Sequence, residues 1–342
     1  MDHKIPYRVL TDSFMEALSG DDGLLKPLLE RAQNDHTLML CIREGYINIY
    51  YRGGNIIKLK QIRKTGNQYS ATFDKNYAKG YQLPDHFPLE ILVTQDNVSS
   101  LIKTIPEKKK SMDIYLSKKR NAEKEFQQLV VRDNNCSRVS TETDYFIADT
   151  ELAMTHIASK TRVRFDMVAF KLIGSQQGIG TVQLALVEMK YGQGAISSGK
   201  DQSGICKHFK DMNQFIVSDD TSRLADIYEK QINQLNELGL LKCKQPRGNY
   251  KFQVDRNQYE IIFILANHNP KSRQLLNELN KLKTTLSESP ASTKLKLRFF
   301  SANSAGYGMY DTCMMDIDKY IELEEFLMPP LPAPQNIQEA AQ

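Results

Sequence analysis

Residues 162–191 read RVRFDMVAFKLIGSQQGIGTVQLALVEMKY, two apolar runs joined by the turn-rich SQQGIG. Both runs are rich in β-branched and aromatic residues, so the pattern predicts two adjacent strands. Asp166 stands inside the first run, and Glu188 and Lys190 end the second. Side chains alternate along a strand, so Glu188 and Lys190 share a face while Met189 points the other way, into the core. An aspartate on the neighbouring strand can reach the same spot. Charges that end an apolar run are costly unless they are used. An acid-x-Lys triplet alone is cheap: Glu107-Lys108-Lys109 is another, inside a charged run, and carries no weight.

Working outward, DYFIADTELAMT (144–155) reads as a further strand, and NAEKEFQQLVVRDNN (121–135) as a helix with Phe126, Leu129 and Val130 on one side. Residues 201–217 and 221–241 return to helical spacing, the second ending near Gly239. YEIIFILANHN (259–269) is a nearly continuous apolar run, as expected of a buried strand. KSRQLLNELNKLK (271–283) reads as a helix and LKLRFFSA (295–302) as a strand. The expected fold class is α/β (α+β), a mixed central sheet flanked by helices over residues 122–328.

A smaller N-terminal α+β domain with β-hairpins is expected over 1–110. Its first 35 residues read as helical, with Thr11 or Asp12 as a cap and Phe14, Leu18, Leu24, Leu28 and Leu29 as apolar positions. Residues 37–62 read as two strands around Gly53-Gly54, and a second pair is expected near QYSATF with Gly66-Asn67 as its turn. IPEKKKSMDIYLSKKR (105–120) reads as a solvated helix or as a charged linker, set at 111–121. Lys108 to Lys110 and Lys118 to Arg120 would there be free to meet a phosphate backbone. MPPLPAP begins a Pro-rich flexible tail over 329–342.

Composition bounds the rest. With 41% hydrophobic and 25% charged residues the chain can build real cores. The five cysteines, Cys41, Cys136, Cys206, Cys243 and Cys313, include no CxxC pair, which argues against a zinc ribbon and a disulfide framework. The chain shows no transmembrane run and no signal-peptide pattern at its start, so a cytoplasmic protein without a membrane partner is expected. The formal charge of +4 permits nucleic-acid binding without arguing for it.

The geometry suits phosphodiester hydrolysis. Two carboxylates can hold Mg²⁺ through oxygen ligands, and the cation polarises a phosphate and lowers the pKa of the attacking water. A lysine beside them can orient that water and stabilise developing charge. The pattern resembles the PD-(D/E)XK superfamily of restriction-type nucleases, over about residues 120–305. Asp166 corresponds to the superfamily's strand aspartate, with Phe165 where a proline is nominal, and Glu188-Met189-Lys190 corresponds to its acid-x-Lys motif.

The resemblance implies a restriction-endonuclease-like core and a catalytic trio of Asp166, Glu188 and Lys190. It also implies a Mg²⁺ site, open to Mn²⁺, formed by Asp166, Glu188 and the Met189 carbonyl. It further suggests Glu125, or Gln128 in its place, on the first core helix. Gln202, Lys207 or His208 would serve after the motif. Asp149 is a candidate third carboxylate, and Asp144 reads as a turn residue. The glycine- and serine-rich 191–204 lacks Walker spacing, but could close over a DNA strand. The expected function is a DNA endonuclease, by fold-level analogy one of prokaryotic antiviral defence. The alternatives are an inactive nuclease-fold module that binds nucleic acid or protein, and a partner-activated nuclease acting on RNA. The N-terminal domain would then be a target reader, a homodimer surface or a dock for a protein partner.

Overall fold

The computed structural model describes residues 8–62, 68–79, 81, 83–84, 87–119, 122–155, 162–196, 204–218, 220–242, 250–288, 292–302 and 306–328. Gln202, Cys243, the Gly66-Asn67 turn and the Pro-rich tail lie outside the described residues.

The chain opens with helices α1 (Asp12–Ser19) and α2 (Lys26–Asn34), the first capped by Thr11 Oγ1 accepting from the Phe14 amide at 3.2 Å. An antiparallel sheet follows in chain order: β1 (Leu38–Ile42), β2 (Tyr46–Tyr51), β3 (Gly54–Gln61), β4 (Tyr69–Thr72) and β5 (Glu90–Val93). Residues 37–62 thus form three strands where two were expected. The additional turn is at Gly45, whose φ of 68° only glycine adopts cheaply. The β2–β3 turn has φ of 49° at Arg52 and 77° at Gly53. Two successive positive φ values match the twist of a tight hairpin.

Helices α3 (Val98–Lys103) and α4 (Ile105–Lys118) cover this unit. The stretch expected as a charged linker over 111–121 is therefore helical up to Lys118. Its charges hide a periodic stripe, Ile105, Lys108, Met112 and Leu116, which the structure buries. Each such apolar side chain stabilises by about 1.5–3 kcal/mol on full burial, enough to hold a polar helix against a sheet. Lys108 goes inside with them and Lys109 pairs with Asp35, so neither is free for a phosphate.

The second sheet has the order β11-β10-β8-β7-β6 and holds β6 (Tyr145–Thr155), β7 (Arg162–Gln176), β8 (Ile179–Tyr191), β10 (Tyr259–Ala266) and β11 (Leu295–Ser301). Short β9 (Lys251–Val254) pairs with the start of β8. β6, β7 and β8 form an antiparallel meander, while β10 pairs parallel with β8 and with β11. Parallel neighbours need crossovers, and helices supply them. α6 (Ile205–Val217) and α7 (Asp220–Glu237) join β8 to β9 and β10, and α8 (Gln274–Glu288) joins β10 to β11. α9 (Ile317–Leu327) packs on β11 and α8.

The expected mixed α and β class, with a mixed sheet between helices, is what the chain forms. On one face Val130 and Val131 of α5 (Ala122–Asn135) pack with Ile147, Met167, Val187 and Met189. On the other, Phe209, Phe215 and Tyr228 pack with Val168, Leu186 and Phe263. That second core continues without a break through both sheets, from Phe14 to Tyr320. Among the described residues no helix is long and apolar enough to cross a membrane.

Candidate active site

The central sheet forks. β7 and β8 pair as far as Met167↔Val187 and then part. β7 stays with β6 through Leu152↔Phe165, and β8 stays with β10 through Glu188↔Phe263 and Lys190↔Leu265. Parting leaves backbone groups without their ladder partners, and a buried amide must be satisfied in some other way. Asp166 Oδ2 does this, accepting from the Met189 amide at 2.9 Å. The aspartate therefore sits in the gap that the separating strands create.

Glu188 and Lys190 enter the same gap, 4% and 5% exposed. Lys190 Nζ donates to Glu188 Oε1 at 2.8 Å, and His208 Nδ1 of α6 stands 3.0 Å from the same oxygen. From α5, the Gln127 side chain hydrogen-bonds Asp166, and Glu123 adds a third carboxyl close enough to feel Asp166 and Lys190. The fork is thus bracketed by α5, which addresses Asp166, and α6, which addresses Glu188.

Burial dominates the electrostatics. It pushes the Glu188 carboxyl up to about 8, with the Asp166 charge adding to the rise and Lys190 opposing it. Asp166 is also raised by burial, against the Met189 amide and Lys190, which favour its ionised form. Glu123 is raised by burial and then by Asp166. Three carboxyls that resist joint ionisation around one lysine describe a place that favours a further cation. Carboxylate oxygens are the ligands a hard divalent cation takes. Asp166 and Glu188 fit that role as a two-carboxylate site. Among the described residues no group of three or more His, Cys, Asp or Glu side chains is arranged to hold a metal, so water, carbonyl or phosphate oxygens would complete such a site.

The expected trio is thus brought together; the supporting residues differ. Glu125 faces away from the fork and binds Arg52, whose Nη2 lies 2.5 Å from its Oε1. Gln128 also serves the β2–β3 turn, accepting from the Gly53 amide and donating to Thr37 O at 2.9 Å. The helix instead presents Glu123 and Gln127. Their signal lies in the spacing Glu123, Gln127, Val130, Asn134, one stripe of a helix whose last two members are fully buried. Asp149 is no third carboxylate of the site: it is fully buried in ion pairs with Arg8 and Arg43 and accepts from Tyr228 at 3.2 Å. Lys207 pairs with Asp211 on the surface, and Asp144 accepts from the Asp311 amide at 2.7 Å. Among the described members of the post-motif set, His208 reaches the site. Of the loop 191–204, residues 197–203 lie outside the described residues.

No protein-family model, no curated protein and no solved structure matches this chain.

Proposed function

We propose that the fork between β7 and β8 is the centre of a metal-dependent phosphodiesterase that hydrolyses DNA, on a restriction-endonuclease-like core. One observation carries this reading: Asp166 and Glu188 share a buried gap, with Lys190 bonded to Glu188 at 2.8 Å. The core reading is supported by an antiparallel meander, β6 to β8, continued by parallel β10 and β11 with helices on both faces.

Asp166 and Glu188 would hold Mg²⁺ or Mn²⁺, which when bound supplies Lewis acidity to a phosphate oxygen and acidity to a water. The chain's own groups do the rest. The Met189 amide and Gln127 fix the Asp166 carboxylate, so its orientation is set before substrate arrives. His208 holds Glu188 from the other side. Lys190, bonded to Glu188 Oε1 at 2.8 Å, would offer a donor to the attacking water and to charge developing on the phosphate.

The test is cleavage of a supercoiled plasmid and of a matched RNA with Mg²⁺ or Mn²⁺, by the parent chain and by Asp166→Ala and Lys190→Ala. Activity in the parent and loss in both variants is the expected result. Equal activity in all three removes the fork from the chemistry, and cleavage of RNA alone reassigns the substrate.

A further inference from the structure

Beyond the fork, β6 and β7 run on together without β8. Leu152↔Phe165, Ala153↔Arg164, Met154↔Val163 and Thr155↔Arg162 pair as a two-stranded ribbon. Leu152, Met154, Val163 and Phe165 are buried, and the Phe165 ring meets Phe215 of α6 edge-on with centroids 5.3 Å apart. With Val163 and Phe165 turned inward, strand alternation sets Arg162, Arg164 and Asp166 on the opposite side.

Both arginines are exposed. Their cross-strand neighbours, Ala153 and Thr155, carry no charge. Glu151, the acid further along β6, is held by Lys124. Among the described residues neither guanidinium has an ion-pair partner. Two strand residues rise about 6.8 Å, so Arg164 stands about 7 Å along the strand from Asp166, and Arg162 about 14 Å. Two cations with no ion pair among the described residues therefore continue the line of Asp166 outward over an exposed ribbon face.

We propose that this ribbon is the track for the substrate's backbone, with Arg164 and Arg162 binding the phosphates next to the one held at Asp166. The assignment rests on reading the fork as a phosphodiesterase centre. The competing use of such charges is to guard a sheet edge against pairing with another chain. An edge guard gives no linkage between these two side chains and nucleic-acid affinity, which separates the two roles.

The experiment measures binding of a fluorescent double-stranded DNA by the full chain in EDTA, by anisotropy over a NaCl series. Parent, Arg162→Ala, Arg164→Ala, the double variant and the double lysine variant are compared, with plasmid cleavage measured in parallel. Each alanine is expected to weaken binding and to reduce the slope of log affinity against log salt by about 0.9, and the lysine pair to restore the slope. Parent-like affinity and slope in the double alanine variant overturn the track and leave the edge guard. A parent that binds through the arginines without cleaving keeps the track and sinks the phosphodiesterase. A parent that cleaves with an arginine-independent slope sinks the track alone. Absence of both binding and cleavage sinks both.

Discussion

The Met189 amide donates to Asp166 Oδ2 at 2.9 Å across the point where β7 and β8 part, so one carboxylate closes the sheet's broken ladder and faces the candidate metal position. Those two duties can be separated. Asp166→Asn keeps an oxygen to accept from Met189 but loses the charge. Its stability is expected to stay within about 1 kcal/mol of the parent by denaturant titration. Its cleavage rate is expected to fall by about 10²–10³-fold, as for removal of a group that stabilises transition-state charge. An Asp166→Asn protein that cleaves like the parent would show that the charge is not used.

Glu123 and Glu125 are two positions apart on α5 and should behave oppositely. Glu123→Gln removes a carboxyl that interacts with Asp166, and is expected to lower cleavage or Mn²⁺ affinity by about 10–100-fold. Glu125→Gln breaks only the partly exposed pair with Arg52, with cleavage unchanged and less than about 1 kcal/mol of stability lost. Steady-state rates and calorimetry on the two variants read this out, and the reverse ranking would restore Glu125 to the site.

Metal-free stability should depend on pH through Glu188. Its carboxyl ionises near 4.5 when unperturbed and near 8 in the folded chain. Between those values the folded state keeps a proton that the unfolded state has released, so stability falls as pH rises from about 4.5 to about 8 and levels off above. In EDTA, Glu188→Gln is expected to flatten this slope and to melt above the parent at pH 8. Added Mn²⁺ should raise the parent's melting temperature and leave the variant's nearly unchanged. Parallel pH profiles for the two proteins would contradict the assignment.

Gly53 offers a test of how the N-terminal unit grips α5. A Cβ there would lie 2.8 Å from the backbone oxygen of Lys124, at a φ of 77°. Gly53→Ala is expected to cost about 1–3 kcal/mol, read as a lower denaturant midpoint. Because Lys124 adjoins Glu123, the same variant should also lower cleavage measured well below its melting temperature.

What the sequence made legible follows from period. Asp166, Glu188 and Lys190 could be placed because strand alternation has a period of two and the apolar runs around them are long. Glu125 and Glu123 are separated by roughly 200° around the helix, and only the burial of Val130 and Asn134 shows which of the two faces the fork. Gly45 is a weak signal because a single glycine punctuates a strand run less clearly than the pair at Gly53-Gly54. Arg8, Arg43 and Asp149 are 106 or more residues apart in pairing, and no local pattern announces such a contact.

That cluster has a consequence for how the chain can be divided. Asp149 belongs to β6, yet both of its cations come from the first 43 residues, and all three side chains are 15% exposed or less. A fragment beginning near residue 122 would lack both cations that face Asp149, and removing one partner of a buried pair costs about 3–5 kcal/mol. The front end thus supplies part of the interior around β6. Exchanging the first 43 residues for another sequence would therefore call for a matching change at Asp149 in β6.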